Sequence, residues 1–499
     1  MNTKSIGLLI VAFGILSSCG PKDTPVKELP PALKNDINQN LQNGVIPTPQ
    51  QVREGEIPPA VNLCEKFRKA IPDFWVQDFL EVPENPADPA GRKIKIFYYG
   101  KVKPGAVPTV FFNGGPGADS HGSAFTLQET KPKYDKENNI SFIYIDQRGN
   151  GCSDFYPQMA DNTKPDLETL KRLSLYGSTG IVADAEAVRS HLLGSKKWNV
   201  FGQSYGALIV HRYAVNSPEG VNAGFAHANT LNKDGYQRVK TRLASQARVF
   251  GDYLKKNPDD EKRFQKLADF LTIDHCYHGK NKDQKICGAE VLQIFAAFLG
   301  FQTDWAEIHK WVKEMAPDEI SETGIGEFLA TFYFGGVSNP LQTKAYAGAV
   351  ISYTDRNVPL MDRYVCYRAQ KDLKAESNIE LQNVFVSECV SNLQWNSVNK
   401  PDFSKEPEAP QEIKLIQSLP RDLLTPEKFA EKLTAITALQ FYLYSGQKDS
   451  VVPEANFQEE LSLVRELPNL HYTHFPESGH DGFYSEPQVW ADILQHSGL

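Results

Sequence analysis

Short apolar runs alternate with amphipathic stretches in two separate parts of this chain, a pattern that predicts strands feeding helices. In the first part, Lys93-Ile94-Lys95-Ile96-Phe97-Tyr98-Tyr99, Thr109-Val110-Phe111-Phe112 and Ser141-Phe142-Ile143-Tyr144-Ile145 read as strands. Ile181, Ala185, Val188 and Leu192 recur at helical spacing and predict an amphipathic helix between Ile181 and Leu193. Trp198-Asn199-Val200-Phe201 reads as a short buried strand, Ala207 to Ala214 as the opening turns of a buried helix, and Asn222 to Ala228 as a further strand. From about residue 231 to 436 the alternation stops and the patterns are mostly helical, including Glu290 to Leu299 and Asp304 to Met315. It resumes with a strand over Leu439 to Tyr444, a helix around Phe457 to Leu467, a strand around His471 to Phe475 and a terminal helix from Pro487 to Gln495. Such alternation predicts an α/β fold with a largely parallel sheet covered by helices on both faces. The long helical stretch inside it reads as a cap laid over the sheet's C-terminal edge.

The first residues follow a different pattern. A weakly basic start ending at Lys4 precedes an apolar run from Ile6 to Leu16 and then Leu16-Ser17-Ser18-Cys19-Gly20. The run is too short for a permanent membrane span and fits an export signal. Small residues directly before Cys19 resemble the lipobox of bacterial lipoproteins. That resemblance implies lipidation of Cys19, a membrane anchor through the lipid, and residence in the bacterial cell envelope. Gly20, in place of the aspartate that commonly retains such proteins at the inner membrane, points to the outer membrane, facing the periplasm or the cell surface. From Pro21 to about Pro59, Pro, Asn, Gln and charge dominate with no apolar period, as in a tether. The expected division is therefore a signal over 1–19, a tether over 20–60, a core in two parts over 61–230 and 437–499, and a cap over 231–436.

Composition narrows the function classes. With 499 residues, 41% of them hydrophobic, the chain can bury a large core. A net charge of −8 and the lack of a long basic run exclude a general nucleic-acid binder. Removing Cys19 leaves Cys64, Cys152, Cys276, Cys287, Cys366 and Cys389. In an oxidising compartment an even set predicts disulfides, and the short separations favour Cys276 with Cys287, then Cys366 with Cys389. His275-Cys276-x-His278 followed by Cys287 superficially resembles a zinc site, but its spacing fits no common zinc module and export favours the disulfide. No metal is expected.

Candidate chemistry centres on Gly202-Gln203-Ser204-Tyr205-Gly206, which fits Gly-x-Ser-x-Gly between a strand pattern and a helix pattern. A serine on that bend projects its hydroxyl from the strand's C-terminal edge, with helix N–H groups behind it. Serine is a weak nucleophile, so a base must take its proton and a third group must orient the base. Asp449 lies just beyond one predicted strand and His480, in Ser478-Gly479-His480-Asp481-Gly482, just beyond the next. His474 is the rival base, but it lies within a strand pattern. Asp146, Asp184 and Asp481 are the rival acids: Asp146 precedes the serine, Asp184 reads as a helix residue, and Asp481 adjoins the base too closely to reach its far nitrogen. For the oxyanion, the N–H of Tyr205 is one expected donor and that of Gly115, in Asn113-Gly114-Gly115-Pro116-Gly117, the second.

Phe112-Asn113-Gly114-Gly115-Pro116-Gly117, Asp146-Gln147-Arg148-Gly149-Asn150-Gly151-Cys152-Ser153 and the serine pentapeptide together resemble the proline iminopeptidase and tripeptidyl aminopeptidase group of α/β-hydrolases. The resemblance implies an α/β-hydrolase fold with a helical cap and a serine aminopeptidase that acts on peptide substrates through an acyl-enzyme without a cofactor. It also implies that Asp146 and Arg148 shape the site rather than react. Asn113 stands where proline iminopeptidases commonly carry histidine, Cys152 is unusual in its turn, and His227-Ala228-Asn229-Thr230 lacks their Arg-Gly pair. With the large insertion, these departures favour the secreted tripeptidyl type. An aminopeptidase needs carboxylates for the substrate ammonium; Glu327, Glu388 and Glu477 are conceivable, although a solvated surface role suits each better. An esterase on the same scaffold and a non-catalytic envelope binding lipoprotein are the alternatives.

Overall fold

In the computed structural model the described residues are 60–498, apart from 73–74, 158–165, 229–230, 232–233, 272–274, 279–284, 289, 302–304, 333–341, 358–361, 378–407 and 410. Cys19 and residues 20–59 of the expected tether lie outside them. The strands are β1 (Val76–Pro83), β2 (Lys93–Gly100), β3 (Thr109–Phe112), β4 (Phe142–Ile145), β5 (Trp198–Gln203), β6 (Val221–His227), β7 (Cys276–His278), β8 (Lys285–Cys287), β9 (Gln440–Gly446) and β10 (Leu470–Phe475). Eight of them form one sheet in the order β1-β2-β4-β3-β5-β6-β9-β10, and β7 pairs with β8 apart from it. β2 pairs antiparallel with β1 and β4, and every other neighbouring pair in the large sheet is parallel. β3, β4 and β5 are buried at every position. Apolar cover on both faces is why β4 and, after Thr109, β3 read as unbroken apolar runs, while β5 is apolar at Trp198, Val200 and Phe201.

The pleat divides the core in two. Phe111 and Phe201 face one side with Tyr144, Phe225 and Trp490, whereas Val110, Phe112 and Val200 face the other with Leu208 and Val221. Between β6 and β9 the chain inserts a large, mainly helical segment. Val249, Phe264, Phe295, Trp311 and Phe328 gather there into a separate core. The later helices Gln342–Arg356 and Pro426–Ala435 return to the sheet, placing Val350, Ile351, Phe429 and Leu433 in the cluster around Leu208.

Several elements escape the sequence pattern. β1 is an edge strand whose residues are mostly half-buried or exposed, so its alternation is weak. The helix His121–Tyr134 carries Pro132 in its last turn and buries only Ala124, Leu127 and Lys131. The β7–β8 hairpin, within a stretch expected to be mostly helical, has strands of three residues each. Among the described residues, no helix is long and apolar enough to cross a membrane.

Cys276 and Cys287 face each other across that hairpin and are disulfide-bonded, the pairing their spacing predicts. Cys366 is also disulfide-bonded; Cys389, its expected partner, lies outside the described residues. A bond between Cys64 and Cys152, 88 residues apart, was not among the expected pairs. It joins the helix Ala60–Ala70 to the turn after β4. On loop-closure entropy it is worth about 4–5 kcal/mol, against about 3 kcal/mol for the hairpin bond. Replacing Cys64 and Cys152 together by serine is therefore expected to lower the urea midpoint more than the same change at Cys276 and Cys287. Equal shifts would show that native-state packing, not chain entropy, sets the effect.

Candidate active site

Ser204 sits alone on the bend between β5 and the helix Tyr205–Asn216, with φ 60° and ψ −118°. A non-glycine residue adopts that backbone only at a cost of about 1–3 kcal/mol, which the surrounding packing must hold in place. Crowding accounts for the flanking glycines. A Cβ at residue 206 would lie 2.0 Å from the Phe112 carbonyl oxygen, and one at residue 202 would lie 2.2 Å from that of Gly206. The Ser204 N–H donates to the His227 carbonyl at 2.9 Å, which ties the bend to the end of β6.

The loop after β3 packs directly on this bend. A Cβ at residue 114 would meet Gln203 Oε1 at 2.6 Å and Ser204 Cβ at 3.0 Å. Asn113 is locked beside it: its side-chain amide donates to the Asp119 carbonyl at 2.6 Å and accepts from Ser123 Oγ at 2.6 Å. Its own carbonyl accepts from Gln147 Nε2 at 3.1 Å. Gly115 follows with φ 58°, a conformation open to a residue without a side chain.

Asp449 follows β9 and His480 follows β10, and the two meet. The His480 Nδ1 donates to Asp449 Oδ2 at 2.7 Å, while Asp449 Oδ1 accepts from the N–H groups of Val451 at 2.9 Å and Val452 at 2.8 Å. With the proton on Nδ1, the lone pair is on Nε2, the tautomer a general base needs. Gln203, the residue before Ser204, donates from Nε2 to the His480 carbonyl at 3.3 Å. Ser204, Asp449 and His480 are all buried. The insertion reaches this histidine as well: the His480 N–H donates to the Gly300 carbonyl at 2.7 Å, and the Phe301 ring stands edge-on to the imidazole at 5.4 Å. Neither residue carries a signal in the sequence, because their contact depends on the path of the insertion.

A family model described as the alpha/beta hydrolase fold matches residues 108–258, the stretch that holds the loop after β3 and the serine bend. The chain has the α/β-hydrolase fold. Among curated proteins, the chain is 27% identical over 232 residues to a proline iminopeptidase of Neisseria meningitidis serogroup B, a match covering 46% of this chain and 62% of the relative. A proline iminopeptidase of Xanthomonas citri is 30% identical over 113 residues, covering 23% of this chain and 29% of the relative. The chain thus spans only about three fifths of the length of the first of these. Among solved structures, a proline iminopeptidase of Mycobacterium smegmatis covers 84% of this chain at 14% identity and a TM-score of 0.34.

His474, Asp184 and Asp146, weighed as rivals for the site, have their own partners. His474 Nδ1 lies 2.8 Å from Ser445 Oγ, and its Nε2 is 3.0 Å from Gln447 Oε1. Asp184 binds the buried Arg148 guanidinium through both oxygens, at 2.8 and 2.7 Å. Asp146 accepts from Ser120, from the Cys152 N–H at 2.8 Å and from His121 Nε2 at 2.8 Å. Burial opposes the charge on both Asp146 and His121, yet each favours the other's ionised form, so the carboxyl is lowered and the imidazole raised. His121, Asp146 and Cys152 present ligand-type atoms within 4.8 Å of one another, but the Cys152 sulfur is bonded to Cys64. Of the conceivable amine-binding carboxylates, Glu327 is exposed and the exposed Glu477 pairs with Lys448 at 2.5 Å. Glu388 lies outside the described residues.

His227 is a buried histidine that sequence reasoning did not single out. It pairs with Gln203 on one side and Tyr444 on the other, between the strands that carry Ser204 and Asp449. Among the described residues, neither ring nitrogen has a hydrogen-bond partner. Burial pulls its pKa down to about 3; Asp449 opposes the shift and His480 adds to it. The unfolded chain takes up this proton near pH 6.5, whereas the folded protein resists it until about pH 3. Stability is therefore fully present above that unfolded value and falls as the pH drops through the window, by on the order of 1 kcal/mol per pH unit. Denaturation at pH 7, 6 and 5 should give a shallower slope for His227→Gln than for the wild type. Identical slopes would show that the ring is charged in the folded protein.

Proposed function

We propose that this protein is a serine exopeptidase, an aminopeptidase of proline iminopeptidase-like or tripeptidyl type. Support comes above all from the 2.7 Å hydrogen bond that orients His480 on Asp449, beside a serine held at a strained strand-to-helix bend. In this reading Ser204 Oγ attacks the carbonyl carbon of a peptide bond as His480 Nε2 takes its proton. The N–H groups of Gly115 and Tyr205 hold the oxyanion. Collapse breaks the C–N bond, His480 returns the proton to the leaving amine, and an acyl-enzyme remains on Ser204. Water, deprotonated by the same imidazole, then releases the acyl group and restores the serine. Asp449 keeps the imidazole in the required tautomer and stabilises its charged form.

The insertion over 231–436 is then the cap that selects the peptide, with the catalytic unit divided between 61–230 and 437–499. Names of the matched relatives support a peptide substrate. Signal 1–19, lipidated Cys19 and tether 20–60 would hold the enzyme at the envelope membrane.

A peptide-library digest read by mass spectrometry tests the substrate class. Release of one residue or short peptides from free N-termini is the expected result. Internal cleavage, or turnover of simple esters without peptide amides, would overturn the exopeptidase reading. Incorporation of a labelled fatty acid, lost in Cys19→Ala, tests the anchor.

A further inference from the structure

We propose that Asp355 is a positioning residue that couples the insertion to the oxyanion site through the hydroxyl of Tyr205. The inference rests on the reading above, in which the Tyr205 N–H is an oxyanion donor.

Asp355 lies near the end of the helix Gln342–Arg356, 150 residues beyond Tyr205 in the chain, and its side chain is buried beneath the helix that follows Ser204. Its carboxylate gathers four donors. Oδ2 accepts from the Tyr205 hydroxyl at 2.7 Å and from the Ser178 N–H at 2.9 Å. Oδ1 accepts from Ser178 Oγ at 2.7 Å and from the Arg212 guanidinium at 3.2 Å. Tyr205 and Arg212 are seven residues apart on one helix, two turns, and so share a face. A single carboxylate thus grips that helix at two levels and resists both rotation about its axis and sliding along it. Arg212 also donates from Nη1 to Asp422 Oδ1 at 3.2 Å and from Nε to Ser178 Oγ at 3.1 Å, which fixes its end of the grip.

The consequence falls on the reacting geometry. Tyr205 is the first residue of the helix, so its backbone N–H and its phenol are carried by the same α-carbon, directly after the strained Ser204. The phenol is fully buried and stays protonated, because burial and the adjacent Asp355 both raise its pKa far above the ordinary value. It therefore always donates to Asp355. Anchoring the far end of this side chain limits how the N–H can tilt from the oxyanion as charge develops, the preorganisation on which such stabilisation depends. The anchor comes from the chain segment that follows the insertion's separate core. Ordering of the insertion is thereby felt at the oxyanion site.

Tyr205→Phe in the full chain removes the hydroxyl and keeps the ring and the backbone N–H. Its rate of inactivation by a fluorophosphonate is expected to fall about tenfold at saturating probe, less than the roughly 10²- to 10³-fold lost when an oxyanion donor is removed outright. The probe concentration at half-saturation should stay within about twofold, because loss of positioning acts on the transition state rather than on ground-state binding. Asp355→Asn should give a loss of the same size, and the double variant should be no slower than the slower single one, because both changes break one link. A Tyr205→Phe protein with a wild-type inactivation rate and only a lower thermal midpoint would overturn the proposal, as would losses that multiply in the double variant. Labelling of Ser204 does not depend on peptide specificity, so a wild type that reacts with the probe but cleaves no peptide refutes the exopeptidase reading and leaves this test intact. A wild type that is not labelled at all overturns both.

Discussion

Ser204→Ala is expected to abolish peptide hydrolysis and fluorophosphonate labelling, with turnover falling by roughly 10⁴-fold or more while the protein stays folded. The size follows from the proposed mechanism: without the hydroxyl no acyl-enzyme could form, and only binding and the proposed oxyanion donors would remain to assist water. Alanine keeps the Cβ at a residue with φ 60° and so keeps the backbone strain. Ser204→Gly removes that strain as well, and its stability should rise by about 1–2 kcal/mol above that of the alanine variant. Stopped assays and thermal midpoints on the two variants separate the effects. Activity retained in Ser204→Ala would place the nucleophile elsewhere.

Asp449→Asn should lower turnover by roughly 10⁴-fold with little change in thermal midpoint. The surrounding hydrogen bonds dictate why. Val451 and Val452 both aim backbone N–H groups at Asp449 Oδ1, so an asparagine there must present its carbonyl oxygen to them. Its NH₂ group then faces His480 Nδ1, which at present donates at 2.7 Å. Two donors cannot face each other, so the imidazole must move its proton to Nε2 and lose the lone pair that would accept the serine proton. A loss of tenfold or less would show that another group orients the histidine.

Much of the α/β-hydrolase architecture is legible in local pattern. β3, β4 and β5 are short, wholly buried and parallel, so each reads as a short, mostly apolar stretch between turns. β1 does not, because one edge of the sheet leaves it half in solvent. Of the disulfides, Cys276–Cys287 is short-range and follows from spacing, while Cys64–Cys152 spans 88 residues and has no local mark. Elimination could have found it, since it joins the two cysteines left after the two expected pairs. His227 shows a further limit: it sits in a strand pattern, and only the strands packed on either side make it a buried ring beside Asp449 and His480.

By itself the sequence determined what short-range sterics and periodicity control: the alternating strands and helices, the glycines that crowding requires around Ser204, and the residue types able to do acyl-transfer chemistry. Only the tertiary structure decided which of those groups meet. It set His480 against Asp449, brought Gly300 and Phe301 of the insertion onto that histidine, and laid Asp355 under Tyr205. These contacts join residues from about 30 to 180 positions apart, and their distance in space depends on how whole layers pack rather than on any repeat along the chain.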